Sequence, residues 1–217
     1  MAVSAIPDGL NPEYMANVLA KSADKGGDTL AQHTWAVLER LADQHRLRPG
    51  LADHLGDDRL WQRMYWGCFL HDFGKAAQGF QERLRQPKLP NPWSEGRHRH
   101  EILSLAFADT VFPPGHTDRL PVIAVIIAHH KDYAGDPDRA ILSRYGGRKP
   151  DEQQQQRVRF LISQLNEAVT ENLCRWLNDY GARWAQRLGF SQTEVESIVA
   201  HSQTLNDSHI RRALSDF

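Results

Sequence analysis

The feature that most constrains this chain is an aspartate placed against the core. Asp72 follows His71 at the C-terminal end of an amphipathic helix predicted over residues 58–73, whose stripe is Leu60, Met64, Gly67, Cys68 and His71. A carboxylate withdrawn from water is costly unless a partner meets it. The fold must therefore bring Asp72 a cation or a set of donors. The helix C-terminus carries partial negative charge, which itself favours a cation. A His-Asp pair also occurs at ordinary helix ends with the Asp facing water, so the pair alone decides nothing.

Its company decides more. A helix over residues 28–45, capped by Asp28 or Thr29 and ended by Pro49-Gly50, carries Leu30, His33, Val37, Leu38 and Leu41 on one stripe. A helix over residues 98–111 aligns His100 with Leu103 and Phe107. Pro121 suits the first turn of a helix through residue 130 that is apolar almost all round and ends in His129-His130. Five histidines and one aspartate thus fall at core-facing or helix-end positions on four helices. One such histidine is ordinary; five point to a shared metal site. Imidazole with carboxylate suits Mn, Fe, Co, Ni or Zn, and a carboxylate can bridge two ions. His98 competes with His100, but its register places it in a loop or first turn. Successive helical residues diverge by about 100°, so His129 and His130 converge only if the last turn unwinds. Lys75 reads either as a solvated helix-start lysine or as a cation near a substrate phosphate.

The rest of the chain reads as helix. Gly74 is expected as a left-handed cap, followed by a short helix over 76–85 and a loop over 87–96. Residues 133–149 read as a loop around a short helix; helical segments are expected over 150–188, 191–203 and 207–214. With no repeat and no strand, the fold class is all-α, one domain over 1–217. Hydrophobic residues at 41% suffice for a sizeable core. The net charge of −1 leaves no overall basic footprint, so any nucleic-acid role rests on a partner or a local patch. Arg83, Arg85, Lys88, Arg97 and Arg99 are candidates for that patch, with Trp93 as a base-stacking surface. Cys68 and Cys174 form no zinc-type pair, and a reduced, cytoplasmic setting is expected. The first ten residues lack a signal-peptide pattern, and the longest apolar run, 122–128, is too short to span a membrane. No Gly-rich phosphate loop or Walker lysine is present.

Taken together, these stretches resemble the HD domain of the CRISPR-associated type I helicase–nuclease. Those that carry the resemblance are Leu30-Ala31-Gln32-His33 with Val37, His71-Asp72-Phe73-Gly74-Lys75-Ala76 leading to Phe80-Gln81, Arg99-His100-Glu101-Ile102-Leu103-Ser104, and Ala128-His129-His130. His-Asp-x-Gly-Lys is common to many HD proteins, and the remaining motifs narrow the assignment. The resemblance covers about residues 28–131, roughly half the chain. It implies that Asp72 bridges two metal ions, that His33 and His71 hold one, and that His100, His129 and His130 hold the other. It places Lys75 near the substrate phosphate. The implied activity is cleavage of single-stranded DNA in CRISPR type I interference, with one or two divalent ions (Mn, Ni, Co, Fe or Mg). The implied partners are a helicase domain or protein and the CRISPR effector complex, and no membrane. The family's later metal-binding Asp lacks its usual context here. Asp207 is one candidate, Asp179 a second, and a residue beyond position 217 a third.

Two other functions are compatible with the residues: an HD phosphohydrolase acting on nucleotides or cyclic nucleotides, and a degenerate HD module serving as a scaffold. An enclosed pocket favours the phosphohydrolase and an open groove the nuclease.

Overall fold

The computed structural model describes residues 5–129, 141–200 and 204–216. Among them the regular elements are helices, and the sole β feature is an isolated bridge between Leu19 and Thr29. The all-α expectation holds.

Helix α1, Leu30–Leu47, starts where Thr29 and Gln32 form a reciprocal capping box. The Thr29 hydroxyl accepts from Gln32 N at 3.2 Å, and Thr29 N donates to Gln32 Oε1 at 2.9 Å. Such a cap contributes about 1 kcal/mol. The buried face is Leu30, Ala31, Thr34, Trp35, Leu38, Leu41 and Ala42. Val37 is only half-buried, and His33 sits at the edge of that face rather than at its centre. After the short α2, Leu51–Leu55, helix α3 spans Leu60–Leu70. It buries Trp61, Gln62, Tyr65, Trp66, Gly67, Phe69 and Leu70, while Met64 and Cys68 are half-buried, so the expected stripe is rotated.

A 3-10 turn over Phe73–Ala76 leads into α4, Gln78–Arg85. The predicted loop at 87–96 contains one helical turn, α5, Pro92–Glu95, capped by the Asn91 side chain. The predicted 98–111 helix is broken into α6 (His100–Ser104), a 3-10 turn and α7 (Ala108–Val111), all buried. Helix α8, Arg119–Ala128, follows, then α9, Ile141–Tyr145. The long C-terminal helical region is two helices, α10 (Glu152–Ser163) and α11 (Glu167–Leu188), because Asn166 caps a new N-terminus with its side chain on Val169 N. Residues 191–200 form turns and irregular chain instead of the predicted helix. There the Ser191 and Glu194 side chains form the reciprocal bonds of a capping box, but the turn they open does not continue as a helix. Helix α12, Asp207–Asp216, closes the described chain.

Helix α3 lies at the centre, packed on α8 and α1. Phe69, Phe73, Trp176 and Trp184 join it to α11, with Phe73 stacked on Trp176 at 5.4 Å. The Tyr65 hydroxyl donates to the Gly181 carbonyl at 2.7 Å. On the α3–α8 seam, a Cβ at Gly67 would lie 2.6 Å from Val125 Cβ, so only glycine permits this approach. At the far end, buried Asp118, just before α8, accepts from Arg59 and Arg63, and Arg59 continues to Glu196. No helix of the described residues is long and apolar enough to cross a membrane.

Gly67→Ala should destabilise the protein by about 1–3 kcal/mol through overpacking. The thermal midpoint should fall by several degrees; an unchanged midpoint would mean that the seam opens freely.

Candidate metal centre

Four helices deliver imidazoles to one carboxylate. Helix α1 offers His33 from the edge of its buried face, and α6 begins with His100. Helices α3 and α8 each end on a histidine, His71 and His129, still in right-handed helical conformation. Asp72 leaves the helix at φ −111°, ψ 8°, which turns its carboxylate inward. The side chain is 1% exposed. Its Oδ2 lies 3.0 Å from His33 Nε2, 3.1 Å from His71 Nε2 and 2.7 Å from Lys75 Nζ. Its Oδ1 lies 2.9 Å from His100 Nε2 and 3.6 Å from His129 Nε2.

The tautomers follow from the outer contacts. His71 Nδ1 donates to the Cys68 carbonyl at 2.6 Å, and His129 Nδ1 donates to the Ile126 carbonyl at 2.6 Å. With Nδ1 so engaged, the Nε2 of each ring faces the Asp72 oxygens, and a backbone carbonyl on the far ring nitrogen is how metal-ligating histidines are usually held. Neither Asp72 oxygen is met in hydrogen-bond geometry. Burial pushes the Asp72 carboxyl pKa up, but the imidazoles of His71, His100 and His33 outweigh it and hold the group well below the usual carboxylate range. A buried carboxylate facing several imidazole nitrogens calls for a cation between them. The donor atoms fall into two groups compatible with a metal, His33 with His71 and Asp72, and Asp72 with His100 and His129, each within 4.8 Å of one another. The residues present therefore fit divalent ions, with Asp72 common to both groups.

Tight backbone packing holds the halves together. Gly74 has no left-handed φ and is not the expected helix cap. Instead, a Cβ there would stand 2.0 Å from the His100 carbonyl oxygen, so glycine is needed for the 3-10 turn to reach α6. Gly74 N donates to Ser104 Oγ at 2.9 Å, and Ser104 Oγ donates to the His100 carbonyl at 3.1 Å. Gln81 ties the same turn to the chain before α1. Its Nε2 donates to the carbonyls of Lys75 and Leu19, and its Oε1 accepts from Leu19 N. Nothing in the local sequence around Gly74, Gln81 or Ser104 reveals these long-range bonds, although all three fall within the stretches that carried the resemblance.

An open cleft of about 720 Å³ leads to this centre. Lys75 and His100 stand at its inner end, and Lys21, Lys25, Arg83, Arg97, Arg99 and Arg144 line it, against two acidic residues, Asp24 and Glu101. The chain of net charge −1 thus carries a local basic patch. Lys75 is no solvated lysine: it is ion-paired with Asp72 and largely shielded. Of the cations expected there, Arg83, Arg97 and Arg99 line the cleft; Arg85 instead bonds the Asn17 carbonyl, and Lys88 is exposed elsewhere. Lys21, Lys25 and Arg144 were not legible as members, since they come from segments far apart in sequence. Trp93 is fully buried, packed edge-on against Phe80, and offers no base-stacking surface. His98 stacks on Phe160 at 4.1 Å, outside the ligand groups. Asp179 pairs with Arg175 on the exposed side of α11, and Asp207 opens α12; neither joins the ligand groups. His130 lies outside the described residues.

Gly74→Ala should push α6 away from the 3-10 turn. Calorimetry should then show Mn²⁺ affinity weakened about 10–100-fold, the usual scale for losing support around metal ligands. Wild-type affinity would mean that the His100 backbone yields without moving its imidazole.

The family model described as "Cas3, HD domain" matches residues 20–204, which span α1 to the turns after α11 and so every described residue around Asp72. No curated protein and no solved structure matches the chain. The match extends well past the 28–131 stretch that carried the sequence resemblance, into the helices that build the core. The chain therefore belongs to the Cas3 HD-domain family, HD-type metal-dependent nucleases of CRISPR systems.

Proposed function

We propose that this protein hydrolyses phosphodiester bonds of single-stranded DNA in CRISPR type I interference. The observation that carries this reading is the open, basic cleft that runs onto the Asp72 cluster. A strand can lie along such a cleft, whereas a nucleotide phosphohydrolase would favour an enclosed pocket. Lysines and arginines in its lining suit backbone phosphates, and Leu84 and Pro87 add apolar surface for bases. A neutral or acidic cleft would have favoured the scaffold alternative.

In this reading His33, His71 and Asp72 hold one divalent ion, and Asp72, His100, His129 and His130 hold a second. Mn, Ni, Co, Fe and Mg are the candidates. When bound, such ions acidify water and offset charge developing on the phosphate. The chain's own residues do the rest. Asp72 holds both donor groups together. The Cys68 and Ile126 carbonyls keep His71 and His129 in the ligating tautomer. Lys75, ion-paired with Asp72, would swing its ammonium onto a non-bridging phosphate oxygen at the inner end of the cleft. We take the strand to be delivered by a helicase domain or protein within a CRISPR effector complex, with the whole chain acting as one nuclease domain in the cytoplasm.

Single-stranded DNA should be cut when Mn, Ni, Co or Mg is added, and chelator should abolish cutting. Asp72→Ala should lose all cleavage while keeping the helical circular dichroism spectrum. Cleavage by that variant at the wild-type rate would overturn the assignment.

His100→Ala should weaken Mn²⁺ binding far more than His98→Ala, read by calorimetry. The reverse ranking would remove His100 from the site.

A further inference from the structure

Three arginines meet beside the cleft without an acidic partner. Arg97 lies in the turn before α6, Arg144 on α9 and Arg157 on α10. The Gly96 carbonyl accepts from Arg144 Nη2 at 2.9 Å and from Arg157 Nη1 at 3.1 Å. One oxygen thus holds two guanidinium groups side by side. Arg97, Arg144 and Arg157, with Glu95 and Gly96, line a second open cavity of about 400 Å³, which shares Arg97 and Arg144 with the metal cleft. Among the described residues no carboxylate pairs with any of the three.

Folding alone gives little reason to gather these charges. Burial, then repulsion from Arg157, Arg99 and Arg97, holds the Arg144 pKa below its ordinary value, although the opposing influence of Tyr145 limits the fall. Arg97 is the one non-glycine among the described residues with left-handed backbone, at φ 47°. Such backbone persists where the surroundings hold it, often at ligand sites. His98, between Arg97 and Arg99, stacks on Phe160 of α10 at 4.1 Å and so ties the Gly96 turn to the helix that carries Arg157. A planar guanidinium fork matches phosphate geometry bidentately, and a neighbouring pair suits a single phosphodiester.

We propose that Arg97, Arg144 and Arg157 clamp a backbone phosphate of the bound single strand, apart from the one being cut, and so set where along the strand cleavage falls. The inference rests on the single-strand reading above. It gives the cleft a direction: one end lies at Lys75 and the Asp72 cluster, the other at the Gly96 turn.

The test is binding of an oligothymidylate to the whole protein in chelator, by fluorescence anisotropy across a salt series, alongside metal-dependent cleavage by the wild type. The Arg144→Gln/Arg157→Gln variant should bind about tenfold more weakly. Its salt slope should fall by roughly 0.7, the share of the one phosphate that is no longer neutralised. Arg144→Lys/Arg157→Lys should recover the slope but not the full affinity, because lysine lacks the fork. Cleavage sites on a longer strand should scatter in the glutamine variant. Should that variant unfold, shown by its melting curve, Arg97→Gln gives the same test at an exposed position that does not touch the Gly96 carbonyl. Wild-type affinity and slope in folded variants would overturn the clamp and leave the nuclease reading standing. Arginine-dependent binding without any wild-type cleavage would overturn the nuclease reading and leave the clamp. No binding of the oligonucleotide in chelator would overturn the clamp.

Discussion

The structure depends on how one buried carboxylate is satisfied. Asp72 sits with Lys75 Nζ 2.7 Å away and four imidazole nitrogens within 3.6 Å, yet none meets its oxygens in hydrogen-bond geometry. Direct ring-to-carboxylate contact is a poor substitute for a cation, because the Nδ1–H groups of His71 and His129 are committed to backbone carbonyls. Packing of α1, α3, α6 and α8 gathers these donors around one carboxylate, and a divalent cation among them would offset the cost of burying it.

That arrangement explains why the surrounding backbone is so tightly drawn. The 3-10 turn after Asp72 must approach α6 closely, and the missing side chain at Gly74 allows it. Ser104 and Gln81 then spend their hydrogen bonds on the same turn, from opposite sides. Gly67 does for the α3–α8 seam what Gly74 does for α6, setting the distance between the helices that end in His71 and His129. The cluster is thus held by close backbone approaches at two glycines and by side-chain bonds from Ser104 and Gln81. The cleft and the arginine cluster are built differently. They draw their charges from turns and helices that are distant in sequence, Arg97 from the turn before α6, Arg144 from α9 and Arg157 from α10.

Much of the centre could be read from the chain itself. Its helical periodicity, the Thr29-Gln32 box and the His and Asp placements are local properties, set by which residues recur at helical spacing. His33, His71, Asp72, His100 and His129 were all identifiable in this way, and the structure brings all five together. The failures are also physical. The α3 stripe was read one face away because that helix is buried nearly all round, which leaves periodicity with little contrast. Residues 98–111 look like one helix but are broken to fit against the turn at Gly74.

The sequence by itself determined an all-α chain carrying a histidine–aspartate metal chemistry, because helix spacing and donor types are written residue by residue. The tertiary structure decided the rest. It alone turned Gly74 from a cap into a point of contact, buried Trp93 in the core, and drew Lys21, Lys25 and Arg144 into one basic cleft on a chain of net charge −1. Charge along a sequence averages out, whereas charge on a folded surface depends on which distant segments pack side by side, and only the tertiary structure fixes that.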